Sequence, residues 1–100
     1  MYRSNYQFFN DNIKNPSFKL IDIREQDEYN YSHIPNSINI PYLTLLNNYE
    51  RLLSRKYKYF IICSKGKTSN DLVKVLNSRG YIAYSLIGGY DNYNKLSNQI

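Results

Sequence analysis

The apolar residues of this chain change their spacing repeatedly, and that alternation limits the fold more than any single motif does. Phe18-Lys-Leu-Ile-Asp-Ile23 is a β-branched run ending in charge, which predicts a largely buried strand. From Leu43 the apolar positions Leu43, Leu45, Leu46, Tyr49, Leu52 and Leu53 fall three and four apart, the spacing of an amphipathic helix, with Arg51, Arg55 and Lys56 around its C-terminal end. Tyr57-Lys-Tyr-Phe-Ile-Ile-Cys63 follows as the strongest strand in the sequence. Leu72, Val73, Val75 and Leu76 then mark one face of a second helix, which Arg79-Gly80 ends as a left-handed glycine does. Tyr81-Ile-Ala-Tyr-Ser-Leu-Ile87 is a last strand, closed by Gly88-Gly89. Strands separated by helices imply parallel neighbours joined by crossovers. The expected fold is therefore an open α/β domain, a mainly parallel sheet with helices on both faces.

Local punctuation fills in the first half. Ser4 or Asn5 is placed to cap a short helix through Tyr6, Phe8, Phe9 and Ile13, stopped by Asn15-Pro16 because a residue before proline avoids helical geometry. Arg24 to Tyr29 reads as a loop and short helix, and Ile38-Asn-Ile40, held between Pro35 and Pro41, as a short extended segment. No repeat, low-complexity tract or Pro/Gly-rich linker divides the chain. Its 100 residues suit one domain over 1–100.

Charge separates the halves. Four basic residues face six acidic ones over 1–50, a balance of −2, whereas nine against two give +7 over 51–100. A positive excess invites a nucleic-acid reading, but the cluster Arg51, Arg55, Lys56 and Lys58 lacks a base-reading motif and fits a solvated helix end, so no nucleic-acid partner is expected. Cys63 is the only cysteine, which excludes an internal disulfide framework and a multi-cysteine zinc site and suits a reducing compartment. No apolar run approaches the roughly 18 residues that span a bilayer, and Met1 to Tyr6 lacks the apolar core of a signal peptide. A soluble, cytoplasmic chain with no membrane partner is the expectation. Tyrosine accounts for 12 of the apolar residues, so several buried side chains carry hydroxyls in need of partners.

The chemistry concentrates at Cys63. In open α/β sheets ligands bind beyond the carboxyl ends of the strands, which is where this residue leaves its strand. Ser64-Lys-Gly-Lys-Thr-Ser69 follows, with the next helix expected from Thr68 or Ser69, so loop N–H groups and the positive end of that helix surround the sulfur and favour thiolate. Lys65 and Lys67 add positive charge to the same loop. Together these describe a nucleophilic sulfur beside an anion site. The competing reading is an inert, buried thiol and merely solvated lysines. Gly66-Lys67-Thr68 echoes a phosphate-binding loop, but Ile61 stands where that motif needs its first glycine.

Several separated motifs carry a resemblance: Leu20-Ile-Asp-Ile-Arg-Glu25, Glu28-Tyr29, His33-Ile-Pro35, Asn39-Ile-Pro41, Cys63-Ser-Lys-Gly-Lys-Thr-Ser69 and Gly88-Gly89-Tyr90. In this order and spacing, over nearly the whole chain, they resemble the single-domain form of the rhodanese family of sulfurtransferases. The resemblance implies a five-stranded sheet and a sulfane-sulfur donor such as thiosulfate, a small anion. It also implies a persulfide on Cys63 and transfer to cyanide, an external thiol or a protein acceptor, with no cofactor and no metal. Ser64, Lys65, Gly66, Lys67, Thr68 and Ser69 map onto the loop whose amides stabilise the persulfide. Arginine is common in that loop in the family, and lysine supplies a less directional field. Ser32 and Asn36-Ser37 replace the family's usual Gly and Gly-Ala, and Tyr90 stands where Trp is frequent.

Asp22 and Arg24, at the end of their strand, are expected to support the site mainly by tying loops together. His33, the sole histidine, maps onto a structural position and is left out of catalysis. Two rival functions are a non-catalytic module that keeps the fold and a cysteine-based phosphatase or arsenate reductase. The second needs Arg six residues after the cysteine to clamp a transferring phosphoryl group, and that position is Ser69.

Overall fold

The structure, a computed structural model, describes residues 2–98. In chain order the elements are β1 (Arg3–Ser4), α1 (Tyr6–Asn12), β2 (Phe18–Asp22), α2 (Gln26–Tyr31), β3 (Ile38–Asn39), α3 (Tyr42–Leu52), β4 (Lys58–Ile62), α4 (Lys67–Ser78), β5 (Ile82–Leu86) and α5 (Gly89–Ser97). The five strands form one sheet in the order β1-β5-β4-β2-β3, every pairing parallel. The β4 strand is central, with Asp22 opposite Ile62 on one side and Ser85 opposite Ile61 on the other.

Strand periodicity divides the core into two layers. Tyr59, Ile61 and Cys63 face one side with Leu45 of α3 and Leu72, Val73 and Leu76 of α4. Phe60 and Ile62 face the other, with Phe9 of α1 and Tyr90 of α5. Successive side chains of a strand point to opposite faces, so an unbroken apolar run is what a strand covered on both sides requires. Five aromatic rings, those of Phe8, Phe9, Phe18, Phe60 and Tyr84, pack together on the second side, Phe18 stacked on Phe60 at 4.8 Å.

The helix ends follow from local chemistry. Asn5 caps α1 by accepting from the Phe8 amide at 2.8 Å. At the end of α4, Gly80 is left-handed (φ 91°), its amide donates to Asn77 O, and the Tyr81 amide reaches back to Leu76 O at 3.1 Å, the pair of bonds of a Schellman motif.

Three expectations need correction. The α4 helix begins at Lys67, one or two residues before Thr68 or Ser69, because Gly66 turns left-handed immediately ahead of it. Val75 is on the exposed side of that helix, and Leu43 and Leu52 of α3 are exposed as well. Their helices are buried on a narrower stripe than the spacing of apolar residues suggests. The fifth strand that the family resemblance implies is β1, which no apolar run in the sequence locates, and Gly88-Gly89 opens a further helix, α5, instead of only closing β5.

Candidate active site

Cys63 is the first residue past β4 and the last apolar position of its layer; it is buried. The chain then reverses through Ser64-Lys65-Gly66 and enters α4, so the loop folds back over the sulfur. Three groups approach Sγ: the Gly66 amide at 3.1 Å, the Ser69 amide at 3.3 Å and the Ser69 hydroxyl at 3.2 Å. Backbone donors converging on sulfur stabilise its anionic form. Gly66 makes this possible, since its φ of 92° is one that a residue with Cβ resists, and a Cβ there would press on Leu86 O and the Gly88 amide at 3.0 Å.

The Gly88-Gly89 pair seals the loop from the other side. The Tyr90 amide donates to Cys63 O at 2.8 Å and the Asp91 amide to Ser64 O at 3.0 Å, so the first turn of α5 grips the start of the loop. This approach is close enough that Gly89 has no room for a side chain: a Cβ would lie 2.4 Å from Cys63 O and 2.6 Å from Ser64 O.

Above the sulfur is an open cavity of about 410 Å³. Cys63, Ser64, Lys65, Lys67 and Thr68 contribute to its lining from the loop and α4, Arg24, Glu25 and Glu28 from the β2–α2 side, and Ile23 and Tyr42 add apolar surface. The expectation of a basic rim is thereby changed. Lys65 pairs with Asp91 at 3.1 Å, and Glu25 and Glu28 bring negative charge to the same opening, Glu28 Oε2 lying 3.5 Å from Ser64 Oγ. The groups directed at the sulfur itself are the backbone N–H donors of Gly66 and Ser69, while the lysine charge at the rim is offset by Asp91, Glu25 and Glu28. The Lys65–Asp91 pair is exposed, and such a pair contributes about 1 kcal/mol at most.

Asp22 and Arg24 act as a buried brace. Asp22 has no exposure and receives the Arg24 side chain through Nε at 3.1 Å and through one terminal nitrogen at 2.8 Å, as well as the Arg24 amide at 2.9 Å. The same terminal nitrogen donates to Ser32 O at 2.7 Å, and the guanidinium lies over the Tyr90 ring at 4.1 Å. Burial alone would depress the guanidinium, but the hydrogen bonds and charge of Asp22 outweigh it and hold Arg24 above its ordinary value. One side of Arg24 thus faces the cavity while its charge is spent on holding β2, Ser32 and α5 together. Asp22 does not line the cavity.

His33 lies apart. It is exposed, stacks on Tyr29 at 3.8 Å, and its Nδ1 is 2.7 Å from Tyr29 O. Glu25, Glu28 and Tyr42 at the cavity, Gly89 behind the loop and Ser85 beneath Ser69 are the site residues to which sequence reasoning gives no role. Glu25, Glu28 and Gly89 stand within the motifs that carry the family resemblance; nothing in the pattern of the chain marks Tyr42 or Ser85.

The fold is shared with known proteins. The profile of the rhodanese-like domain matches residues 6–96. The adenylyltransferase and sulfurtransferase uba4 of Ogataea parapolymorpha is 36% identical over 78 residues, 76% of this chain and 20% of that protein. Thiosulfate sulfurtransferase GlpE of Coxiella burnetii is 27% identical over 82 residues, 81% of this chain and 76% of that enzyme. The chain thus spans about a fifth of the Ogataea protein and about three quarters of the Coxiella one. Among solved structures, a rhodanese-related protein of Thermoplasma volcanium superposes with a TM-score of 0.85 at 30% identity, covering 95% of this chain and 92% of that one.

Proposed function

The chain belongs to the family of rhodanese-like domains, and on that basis we propose that it is a sulfurtransferase that carries sulfur as a persulfide on Cys63. One observation carries the reading: Sγ stands at an open cavity with two backbone amides and a hydroxyl within 3.3 Å of it. An inert core thiol has apolar neighbours and no such convergence of donors.

In the proposed reaction the Cys63 thiolate attacks the outer sulfur of thiosulfate or of a related persulfide donor. A bond forms from Sγ to that sulfur as the donor's own S–S bond breaks, and sulfite, or the donor thiolate, departs with the electron pair. Gly66 and Ser69 hold the inner sulfur. Lys67 and Thr68, at the first positions of α4, have no carbonyl a turn behind them within the helix, so their amides are available to the outer, anionic sulfur. An external thiol, a protein acceptor or cyanide then attacks the outer sulfur, and Sγ leaves as thiolate. Cys63 is the only cysteine of the chain, so its persulfide has no internal thiol with which to form a disulfide, and the acceptor comes from outside.

Phosphatase chemistry fits poorly. The position that would need an arginine fork is Ser69, whose hydroxyl and amide are both turned onto the sulfur. Intact mass after incubation with thiosulfate tests the proposal. A gain of one sulfur atom, removed by cyanide and absent in Cys63→Ser, is expected. An unmodified wild-type chain overturns the catalytic reading in favour of a binding module.

A further inference from the structure

The loop does not complete the surroundings of the sulfur by itself; the neighbouring strand takes part. Ser85 lies in β5, 1% exposed, with its hydroxyl 2.8 Å from Ser69 Oγ. Ser69 is fully buried, and its Oγ is 3.2 Å from Cys63 Sγ. Both hydroxyls also reach Gly66 O, at 3.3 Å from Ser85 and 3.4 Å from Ser69. We propose that Ser85 is a positioning residue for Cys63: a buried hydroxyl that turns the Ser69 proton toward the sulfur when the sulfur is anionic and accepts that proton's hydrogen bond when it is not. The proposal rests on Cys63 being the reacting nucleophile.

Proton accounting supports it. Each serine hydroxyl has one proton to donate, and the acceptors within reach are Sγ, the other hydroxyl oxygen and Gly66 O. With Sγ anionic, Ser85 donates to Ser69 Oγ, Ser69 donates to Sγ, and the two backbone amides complete three bonds to the sulfur. With Sγ protonated, the thiol donates to Ser69 Oγ, Ser69 donates to Ser85 Oγ, and Ser85 donates to Gly66 O. Every proton has an acceptor in both arrangements, and once the sulfur gains or loses its own proton through the open cavity, rotating two hydroxyls converts one into the other without moving a heavy atom.

Ser85 favours the anionic arrangement in particular. A hydroxyl that accepts a hydrogen bond is polarised into a better donor, so Ser85 strengthens what Ser69 gives to the sulfur. Without it, Ser69 loses that polarisation, and Gly66 O remains to compete for its proton. The titratable groups that face the cavity are Arg24, Glu25 and Glu28 from the β2–α2 side, Tyr42 from α3, and Lys65 and Lys67 from the loop side. A substitution at Ser85 touches none of them, so a change in pH dependence would be carried by the serine pair.

The test reads the sulfur directly, by the rate of Cys63 alkylation with iodoacetamide as a function of pH. Losing one neutral hydrogen bond corresponds to roughly threefold to tenfold, so Ser85→Ala is expected to slow alkylation by about that factor on the acidic limb and to move that limb to higher pH. Ser85→Thr restores the wild-type profile and Ser85→Val, equal in shape, does not; this pair decides the matter if Ser85→Ala fails to fold. In a Ser69→Ala background Ser85→Ala has no further effect, because its influence passes through Ser69. An unchanged profile in folded Ser85→Ala overturns the proposal, as do equal profiles for Thr and Val or an undiminished effect in the Ser69→Ala background. Absent sulfur transfer with the expected alkylation pattern overturns the sulfurtransferase reading instead and leaves the role of Ser85 standing.

Discussion

Gly89 rests directly against the peptide of Cys63: a Cβ on Gly89 would fall 2.4 Å from the Cys63 carbonyl oxygen, the atom to which the Tyr90 amide donates at 2.8 Å. The backbone of α5 thus sets the position of Cys63. Gly89→Ala combines that collision with an alanine at φ 63°, and the expected outcome is a loss of about 2 kcal/mol or more by urea denaturation. In the folded fraction, thiosulfate-dependent mass gain on Cys63 should fall at least about a hundredfold, in line with the sensitivity of such chemistry to a shift near 1 Å.

The mixed charge of the cavity rim orders the lysines. Lys65 is engaged by Asp91 and Lys67 has no ion-pair partner among the described residues. Lys67→Ala is therefore expected to raise KM for thiosulfate by roughly threefold to tenfold, Lys65→Ala by less than about twofold, and Glu28→Gln to lower it. Initial rates in thiosulfate plus cyanide at low and at 0.5 M salt check this, the differences shrinking at high salt. Equal effects of the two lysines would count against the assignment.

Removing Asp22 leaves the Arg24 guanidinium buried without its counter-charge. Breaking one side of such a pair costs about 3–5 kcal/mol, so Asp22→Ala should unfold at much lower urea, and Asp22→Ala combined with Arg24→Met should recover part of the loss. Arg24 stays charged across the accessible pH range, its folded value lying above an already high ordinary one. The stability it lends is present below its ordinary value and is lost only on passing upward through the raised one. Melting between pH 6 and 9 should accordingly show no step from this group.

Asn36 adopts φ 71°, the one left-handed non-glycine position among the described residues. Asparagine tolerates this conformation and alanine does not, so Asn36→Ala is expected to cost about 1 kcal/mol while Asn36→Gly stays within about 0.5 kcal/mol of wild type. The family's frequent glycine at this place thereby gains a conformational reason. Paired urea denaturation curves are the check.

The elements visible in the sequence were those whose apolar pattern spans several residues. The runs at Phe18 and Tyr57 announced central strands because both faces are covered, and the Arg79-Gly80 stop was legible because left-handed geometry selects glycine. Strand β1 has two residues and its edge pairing to β5 leaves no pattern to detect. Helix α5 buries only Gly89 and Tyr90 along its length, so its polar sequence resembles a tail. At the site, the loop from Cys63 to Ser69 was legible because its residues are contiguous. The Lys65–Asp91 pair, the Glu28 approach and the Ser69–Ser85 contact join residues 26, 36 and 16 positions apart, and only the folded crossovers bring them together.

The sheet that places the sulfur at its middle is also finished at its margins. Both outer strands, β1 and β3, are two residues long, so a second chain approaching either rim finds only a short row of open amides and carbonyls to continue. A parallel α/β sheet usually risks adding neighbours at its edges, and here that risk is curtailed by the brevity of the very strands that end it.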